Sequence, residues 1–283
     1  MEYNTLNNGV RMPAVGIGTF MISPEDTEKA VYAALKLGYR LIDTANAYLN
    51  EEAVGKALKK AFDEGIVTRE EVFVSTKLWP TMYEKDTAVQ DTLERLGLDY
   101  VDLLFIHQPA GNYMAGYRQL EKAYKEGKAR SLGISNFYTE KLERLLAESE
   151  IKPQVIQLEA HPYCTEDEVM ERLSEYGTKL MAWYPLGHGD PGLVREEIFT
   201  KLADKYHKSN AQIVLRWHTQ MGFITIPGSK NPDHIRDNAD IFDFTLTDEE
   251  MAEIRKLNGK KKYYQSDDEA VERYAEMHLP FEK

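Results

Sequence analysis

Short apolar runs alternate with longer amphipathic stretches almost to the end of the chain, the pattern of repeated β-α units. Before Phe20, Asn8-Gly9 sits between short apolar-containing runs and predicts a type I′ hairpin. Ser23-Pro24-Glu25-Asp26 then opens a helix, with Ser23 as cap, Pro24 in the first turn and acids at the positive end of the dipole. Ala30, Val31, Ala34, Leu35 and Leu37 give it an apolar face, and Gly38 ends it.

The unit then repeats. Strands are expected at 40–43, 72–77, 101–107, 129–134, 155–158, 179–183 and 223–226. Helices are expected near 51–62, 85–96, 117–125 and 141–147, and on both sides of the last two strands. Thr165-Glu166-Asp167-Glu168, Ser209-Asn210-Ala211-Gln212 and Thr247-Asp248-Glu249-Glu250 have the form of capping boxes. Units spaced by roughly 25 to 35 residues fit an α/β barrel or a doubly wound sheet. No Pro/Gly/Ser-rich linker divides the chain, so residues 1–283 read as one domain. The stretch from Asn258 onward, rich in charge and Tyr, is expected to lie over one face as loop with some helix.

Composition narrows the function. The net charge of −12 opposes binding to nucleic acid or an anionic membrane, which needs a cationic surplus. Cys164 is the lone cysteine, so no internal disulfide forms and a reducing cytosol is the expected compartment. No apolar run reaches the roughly 18 residues of a membrane helix, and Met1-Glu2-Tyr3-Asn4-Thr5 lacks the layout of a secretion signal.

A dinucleotide fingerprint fails. Gly16-Ile17-Gly18 has no third glycine, and its helix begins only near Pro24, whereas the Rossmann turn needs glycines leading straight into a helix N-terminus. The stronger signal is positional: three consecutive strands end in Asp43, Lys77 and His107. In a barrel those ends converge on one mouth, where carboxylate, ammonium and imidazole make a proton-handling cluster. Tyr48 follows in the loop after Asp43. A free phenol has a pKa of about 10; an adjacent Lys77 held by Asp43 is expected to lower it. No histidines stand at metal-ligand spacing, so no metal site is expected. Cys164 has no activating neighbour. His161-Pro162 reads as structural, and Lys260-Lys261-Lys262 as a solvated face.

At these residues the chain resembles the aldo-keto reductases, over nearly its whole length. Asp43 to Gly55, Lys77-Leu78-Trp79, Asp102 to His107, Gly133-Ile134-Ser135-Asn136-Phe137 and Gln157-Leu158-Glu159-Ala160-His161-Pro162 carry the likeness in order. The resemblance implies a (β/α)8 TIM barrel with an N-terminal β-hairpin and a C-terminal loop and helix extension. It implies a monomeric NADPH-dependent enzyme reducing small aldehydes or ketones, with NADH the alternative cofactor. Tyr48 would be the general acid, Lys77 and Asp43 its tuning pair, and His107 the group orienting the carbonyl. Ser135, Asn136 and Gln157 would hold the nicotinamide carboxamide, and Trp183 would stack on its ring. Gly18, Thr19, Leu186, Gly187, Ser229, Lys230, His234 and Asn238 would complete the cofactor site. Phe20, Trp79 and Gln108 would join Tyr48 and His107 around the substrate, and the tail near Tyr263 to Phe281 is a further candidate for the wall of an aromatic-lined pocket.

This sequence departs from the family pattern in places. Gly228 and His234 stand where the family usually has the Lys and Arg that grip the 2′-phosphate, with Lys230 and Arg236 nearby as substitutes. Ile156, Tyr184, Gln108 and Phe20 replace the usual Asn, Ser, Trp and Trp. Two other functions remain open on the residues: a lyase forming a Schiff base on Lys77, and a nicotinamide-binding regulatory subunit without turnover.

Overall fold

Each apolar run pairs in parallel with the next, because the helix between them carries the chain back to the same end of the sheet. The computed structural model describes residues 1–265 and 267–282. Its first two strands, β1 (Tyr3–Thr5) and β2 (Arg11–Pro13), form an antiparallel hairpin. Eight parallel strands follow in sequential order: β3 (Ile17–Gly18), β4 (Leu41–Asp43), β5 (Phe73–Leu78), β6 (Leu103–Ile106), β7 (Leu132–Ser135), β8 (Val155–Glu159), β9 (Lys179–Trp183) and β10 (Ile224–Thr225). The sheet closes on itself. Gly16 donates to the Thr225 carbonyl and Thr225 to that of Ala14, both at 2.9 Å, and Gly18 bridges Gly228. Closure of eight parallel strands inside a ring of helices makes the chain a (β/α)8 barrel.

Two cores follow from the alternation of side chains along each strand. Inside the barrel, Leu41, Phe73, Leu103, Phe105, Val155, Met181 and Ile224 fill the lower layers, and Leu6 and Met12 of the hairpin plug the bottom. The opposite strand faces, with Ile42, Val74, Leu104, Ile134, Ile156 and Leu180, pack on the surrounding helices. The helix Pro24–Lys36 starts as its sequence dictates: Ser23 accepts from the Asp26 N–H, and Pro24 occupies the first turn. Capping boxes form at Ser209 and Thr247.

Four local expectations are corrected. The hairpin loop is not type I′: only Gly9 has positive φ (+84°), and Leu6 N–H to Val10 O closes a three-residue loop. Asn8 stays in the ordinary half of φ space and bonds the Arg130 carbonyl instead. Thr165 caps nothing; the helix Asp167–Leu173 begins from Glu166 in the left-handed region. The first barrel strand, Ile17–Gly18, is too short to register as an apolar run. Finally, the three consecutive lysines do not simply face solvent. Lys260 pairs with Glu196, Lys261 with Asp190 and Lys262 with Glu166, at 2.5–2.7 Å.

Those pairs begin a set of ties that lay the C-terminal stretch across the barrel mouth. The buried Glu159 carboxylate, at the end of β8, accepts the backbone N–H groups of Tyr263 (2.7 Å) and Tyr264 (2.5 Å) and bonds His161 Nε2 (2.9 Å). Further along, Glu272 takes Lys141 and the Gly111 N–H, and the Trp79 indole donates to the Met277 carbonyl.

Gly133 shows how tightly the interior is filled. A Cβ there would lie 2.3 Å from the Phe105 ring of the neighbouring strand. Gly133→Ala should therefore lower stability by about 1–3 kcal/mol, read as a lower urea midpoint with an unchanged slope; an unchanged midpoint would show that the ring has room to turn.

Candidate active site

Alternation also builds the site. Towards the C-terminal ends of the strands, the inward positions change from apolar to polar: Asp43 on β4, Ser75 and Lys77 on β5, His107 just after β6, Ser135 on β7, Gln157 and Glu159 on β8, and Trp183 on β9. At its centre is a buried ion pair. Lys77 Nζ lies 2.7 Å from Asp43 Oδ2 and 2.7 Å from the Thr44 carbonyl, with side-chain exposures of 0% and 2% for Lys77 and Asp43. Ser75 Oγ donates to Asp43 Oδ1 at 2.7 Å, and Gln157 Nε2 reaches Oδ2 at 3.5 Å. Thus both carboxylate oxygens are engaged, as a buried charge requires.

Tyr48 stands over this pair, with Lys77 Nζ 4.9 Å from its ring centre. Its ring centroid is 5.5 Å from that of His107 and 5.1 Å from that of Phe20; Trp79 packs on His107 at 5.1 Å. Burial first, then the Asp43 carboxylate and Tyr184, push the Tyr48 hydroxyl well above the ordinary tyrosine value. This reverses the expected direction. Burial and the nearby Asp43 carboxylate together outweigh the Lys77 charge, so the phenol keeps its proton at neutral pH. Burial also pulls Lys77 down, against the opposing pull of Asp43. His107 falls well below the usual imidazole value, through burial and then the Lys77 charge, and is neutral at pH 7. Its Nδ1 is buried without a hydrogen-bond partner among the described residues.

A cavity of about 720 Å³ opens above these groups. It is lined by Gly18, Phe20, Asp43, Tyr48, Trp79, His107, Gln108, Ser135, Asn136, Gln157, Trp183 and Leu186, all singled out from the sequence. Met21, Tyr184, His188, the segment Ile226-Pro227-Gly228 and the tail residues Tyr264, Tyr274, Met277 and Leu279 also line it. Other expected residues lie elsewhere. Thr19 is buried and its hydroxyl donates to the Asp43 carbonyl, so it braces β4 instead of lining the cavity. Gly187 is buried beside Leu193 in a left-handed turn with φ +67°. Ser229, Lys230 and His234 are away from the cavity wall, around the start of the helix Pro232–Ala239, where Lys230 pairs with Asp26 at 3.2 Å. Asn238 is buried in that helix.

The tail lines the cavity as expected, through Tyr264, Tyr274, Met277 and Leu279, while two groups near the ion pair escape the sequence reading: Ser75 and Glu159. Ser75 and Glu159 were accessible through the same period of two that places Lys77 and Gln157 inward; the tail has no period to read. Among the described residues, no three His, Cys, Asp or Glu side chains are grouped to hold a metal ion, and no helix is long and apolar enough to cross a membrane. Burial and Glu166 push the Cys164 thiol up to about 12, so it carries no reactive thiolate. Lys77 is fully buried, absent from the cavity lining and bonded to Asp43 and Thr44. That geometry opposes a Schiff-base role, which needs a free amine facing substrate.

Comparison with known proteins adds the lineage. A profile described as the Aldo/keto reductase family matches residues 14–259. The chain belongs to the aldo/keto reductase family. A glyoxal reductase of Bacillus subtilis is 44% identical, covering 94% of this chain and 96% of its own length. A methylglyoxal reductase of Yersinia pestis is 42% identical over 91% and 93%. Among solved structures, an aldo-keto reductase of Bombyx mori in complex with NADP superposes with a TM-score of 0.87 at 36% identity, covering 93% of this chain and 95% of that one. As an aldo/keto reductase, the chain carries the oxidoreductase activity of its family.

The ion pair sets a stability test. Asp43→Ala leaves the Lys77 ammonium buried with only a carbonyl partner, and should cost about 3–5 kcal/mol in urea unfolding. Lys77→Met on top of it should recover part of that loss; a double variant as unstable as the sum of both single changes would show that the two groups do not interact.

Proposed function

We propose that this protein reduces small aldehydes and ketones to alcohols with hydride from NADPH, and that Tyr48 supplies the proton. The observation that carries this reading is the placement of the Tyr48 phenol at the cavity wall, beside His107 and over the Lys77–Asp43 pair.

The residues present suit a nicotinamide cofactor. Ser135, Asn136 and Gln157 bring a hydroxyl and two carboxamides to one side of the cavity, matched to the donor and acceptors of a carboxamide, and Trp183 adds a flat indole. Gly18 and Gly228 keep the adjoining cleft free of side chains: a Cβ on Gly18 would come within 2.8 Å of the Ile226 carbonyl, and one on Gly228 within 3.1 Å of the Gly18 carbonyl. Bound there, the dihydronicotinamide supplies a hydride. The Bombyx mori relative was solved with NADP, which supports NADPH over NADH. With Gly228 in the usual lysine position, Lys230 and Arg236 are the cations left to meet a 2′-phosphate, beside the start of the helix Pro232–Ala239.

His107 orients the substrate carbonyl with a single ring N–H, since the neutral imidazole has only one. As hydride reaches the carbonyl carbon, charge gathers on oxygen, and Tyr48 transfers its proton there. The elevated phenol value does not block this step, because an alkoxide is a far stronger base than a phenolate. Lys77 then faces the new phenolate across its ring, and solvent returns the proton. Water is limited by Phe20, Trp79 and the tail residues Tyr264 and Tyr274 around the opening. The relatives named for glyoxal and methylglyoxal support small reactive aldehydes as substrates. The protein is further proposed to act as a single-domain monomer in the cytosol.

Fluorescence titration with NADPH and NADH, followed by reduction of methylglyoxal, tests the reading. Tyr48→Phe should lower kcat by about 10²- to 10⁴-fold while the NADPH Kd stays within about twofold, since the change removes one hydroxyl and no cofactor contact. Turnover equal to that of the wild type would remove Tyr48 from its role.

A further inference from the structure

Along one wall of the cavity, hydrogen bonds fix the orientation of a carboxamide whose sequence neighbour is His107. The indole nitrogen of Trp183 can only donate. It lies 3.1 Å from Asn136, so the Asn136 atom facing it is the acceptor Oδ1. The Asn136 amide nitrogen then points the other way, to Gln108 at 3.2 Å, and the Gln108 atom receiving it must be Oε1. Tyr264 OH donates to the same oxygen at 3.4 Å. Both lone pairs of Gln108 Oε1 are therefore used, and the flip of each amide follows from the indole alone.

The backbone of Gln108 is pinned as well. The buried Tyr83 hydroxyl donates to the Gln108 carbonyl at 2.7 Å and accepts its N–H at 3.1 Å. What remains uncommitted is the Gln108 –NH2, which donates to no group among the described residues although the residue is only 7% exposed and lines the cavity. The two indole donors of the same cavity are taken, Trp79 by the Met277 carbonyl and Trp183 by Asn136. With its oxygen and backbone committed, Gln108 has its amide N–H groups left to face the open cavity, where a ligand oxygen can take them in place of water.

We infer that Gln108 is a specificity-determining residue that donates a hydrogen bond to a second oxygen of the substrate, on the carbon next to the reduced carbonyl. The preferred class is thus α-oxoaldehydes and α-hydroxycarbonyls over plain aldehydes of the same length. The inference rests on the reading of Tyr48 and His107 as the carbonyl end. Its selectivity comes from the donor itself: a site built to bond an oxygen rejects analogues lacking it far more strongly than an apolar pocket distinguishes sizes.

Measuring kcat/KM for methylglyoxal and for propanal, with NADPH, in the wild type, Gln108→Met and Gln108→Glu tests this. Gln108→Met keeps the length without polarity. Gln108→Glu keeps the acceptor that Asn136 and Tyr264 need and replaces the donor with a second acceptor and a negative charge, whose effect both aldehydes share. Both variants should lower the ratio of kcat/KM for methylglyoxal to kcat/KM for propanal by about 10- to 100-fold, whatever fall the two aldehydes share through a displaced Asn136. If Gln108 served only to hold Asn136, Gln108→Glu would retain the wild-type preference; that result overturns the inference, as does an equal fall on both aldehydes. Failure of the wild type to reduce either aldehyde would instead refute the reading beneath it.

Discussion

A lysine and an aspartate sealed together inside the barrel mouth constrain everything around them. Neither charge can be left alone there, because desolvation costs each several kcal/mol. Asp43 must therefore keep Lys77, Ser75 and Gln157, and Lys77 must keep Asp43 and the Thr44 carbonyl. These bonds tie β4, β5 and β8 together across the barrel and fix the start of the loop that carries Tyr48. They also leave the pair nearly neutral as a whole. At Tyr48, burial and the Asp43 carboxylate outweigh the Lys77 charge and keep the phenol protonated, which is the form the proposed proton transfer needs.

The same alternation that fills the barrel produces the chemistry at its rim. Lower inward positions such as Leu41, Phe73 and Leu103 are apolar and pack as a solid plug; one or two steps further along the same strands come Asp43, Ser75 and Lys77. Rigidity below supports polarity above. The tail then shapes the opening, held by Glu159 and by the three lysines at 260–262. Because Glu159 belongs to the same strand as Gln157, one β-strand both supports the ion pair and anchors the cover.

Much of this was legible in the sequence, for identifiable reasons. Seven of the eight barrel strands carry apolar runs long enough to recognise, while Ile17–Gly18 consists of two residues and hides in the segment after the hairpin. Asn8-Gly9 signalled a turn correctly, but its type depended on Asn8 bonding the distant Arg130 carbonyl. Thr165 had the right spacing for a cap, yet Glu166 turns left-handed before the helix starts. At the site, Asp43, Lys77 and His107 were visible as strand-end polar residues, and Tyr48 through its loop. The direction of the Tyr48 shift was not, since it depends on how burial and the Asp43 carboxylate weigh against Lys77. The tail near Tyr263 to Phe281 was legible as a pocket wall, but not which of its side chains turn inward, because an irregular stretch has no local pattern to single out Tyr264 and Tyr274.

Ultraviolet difference titration of the wild-type protein against Tyr48→Phe isolates one phenol among 17 tyrosines. The raised phenol value predicts that no tyrosinate assignable to Tyr48 forms below about pH 10. An ionisation step in that difference between roughly pH 6 and 9 would contradict the account, because it would mean that the Lys77 charge outweighs burial and Asp43 at the phenol.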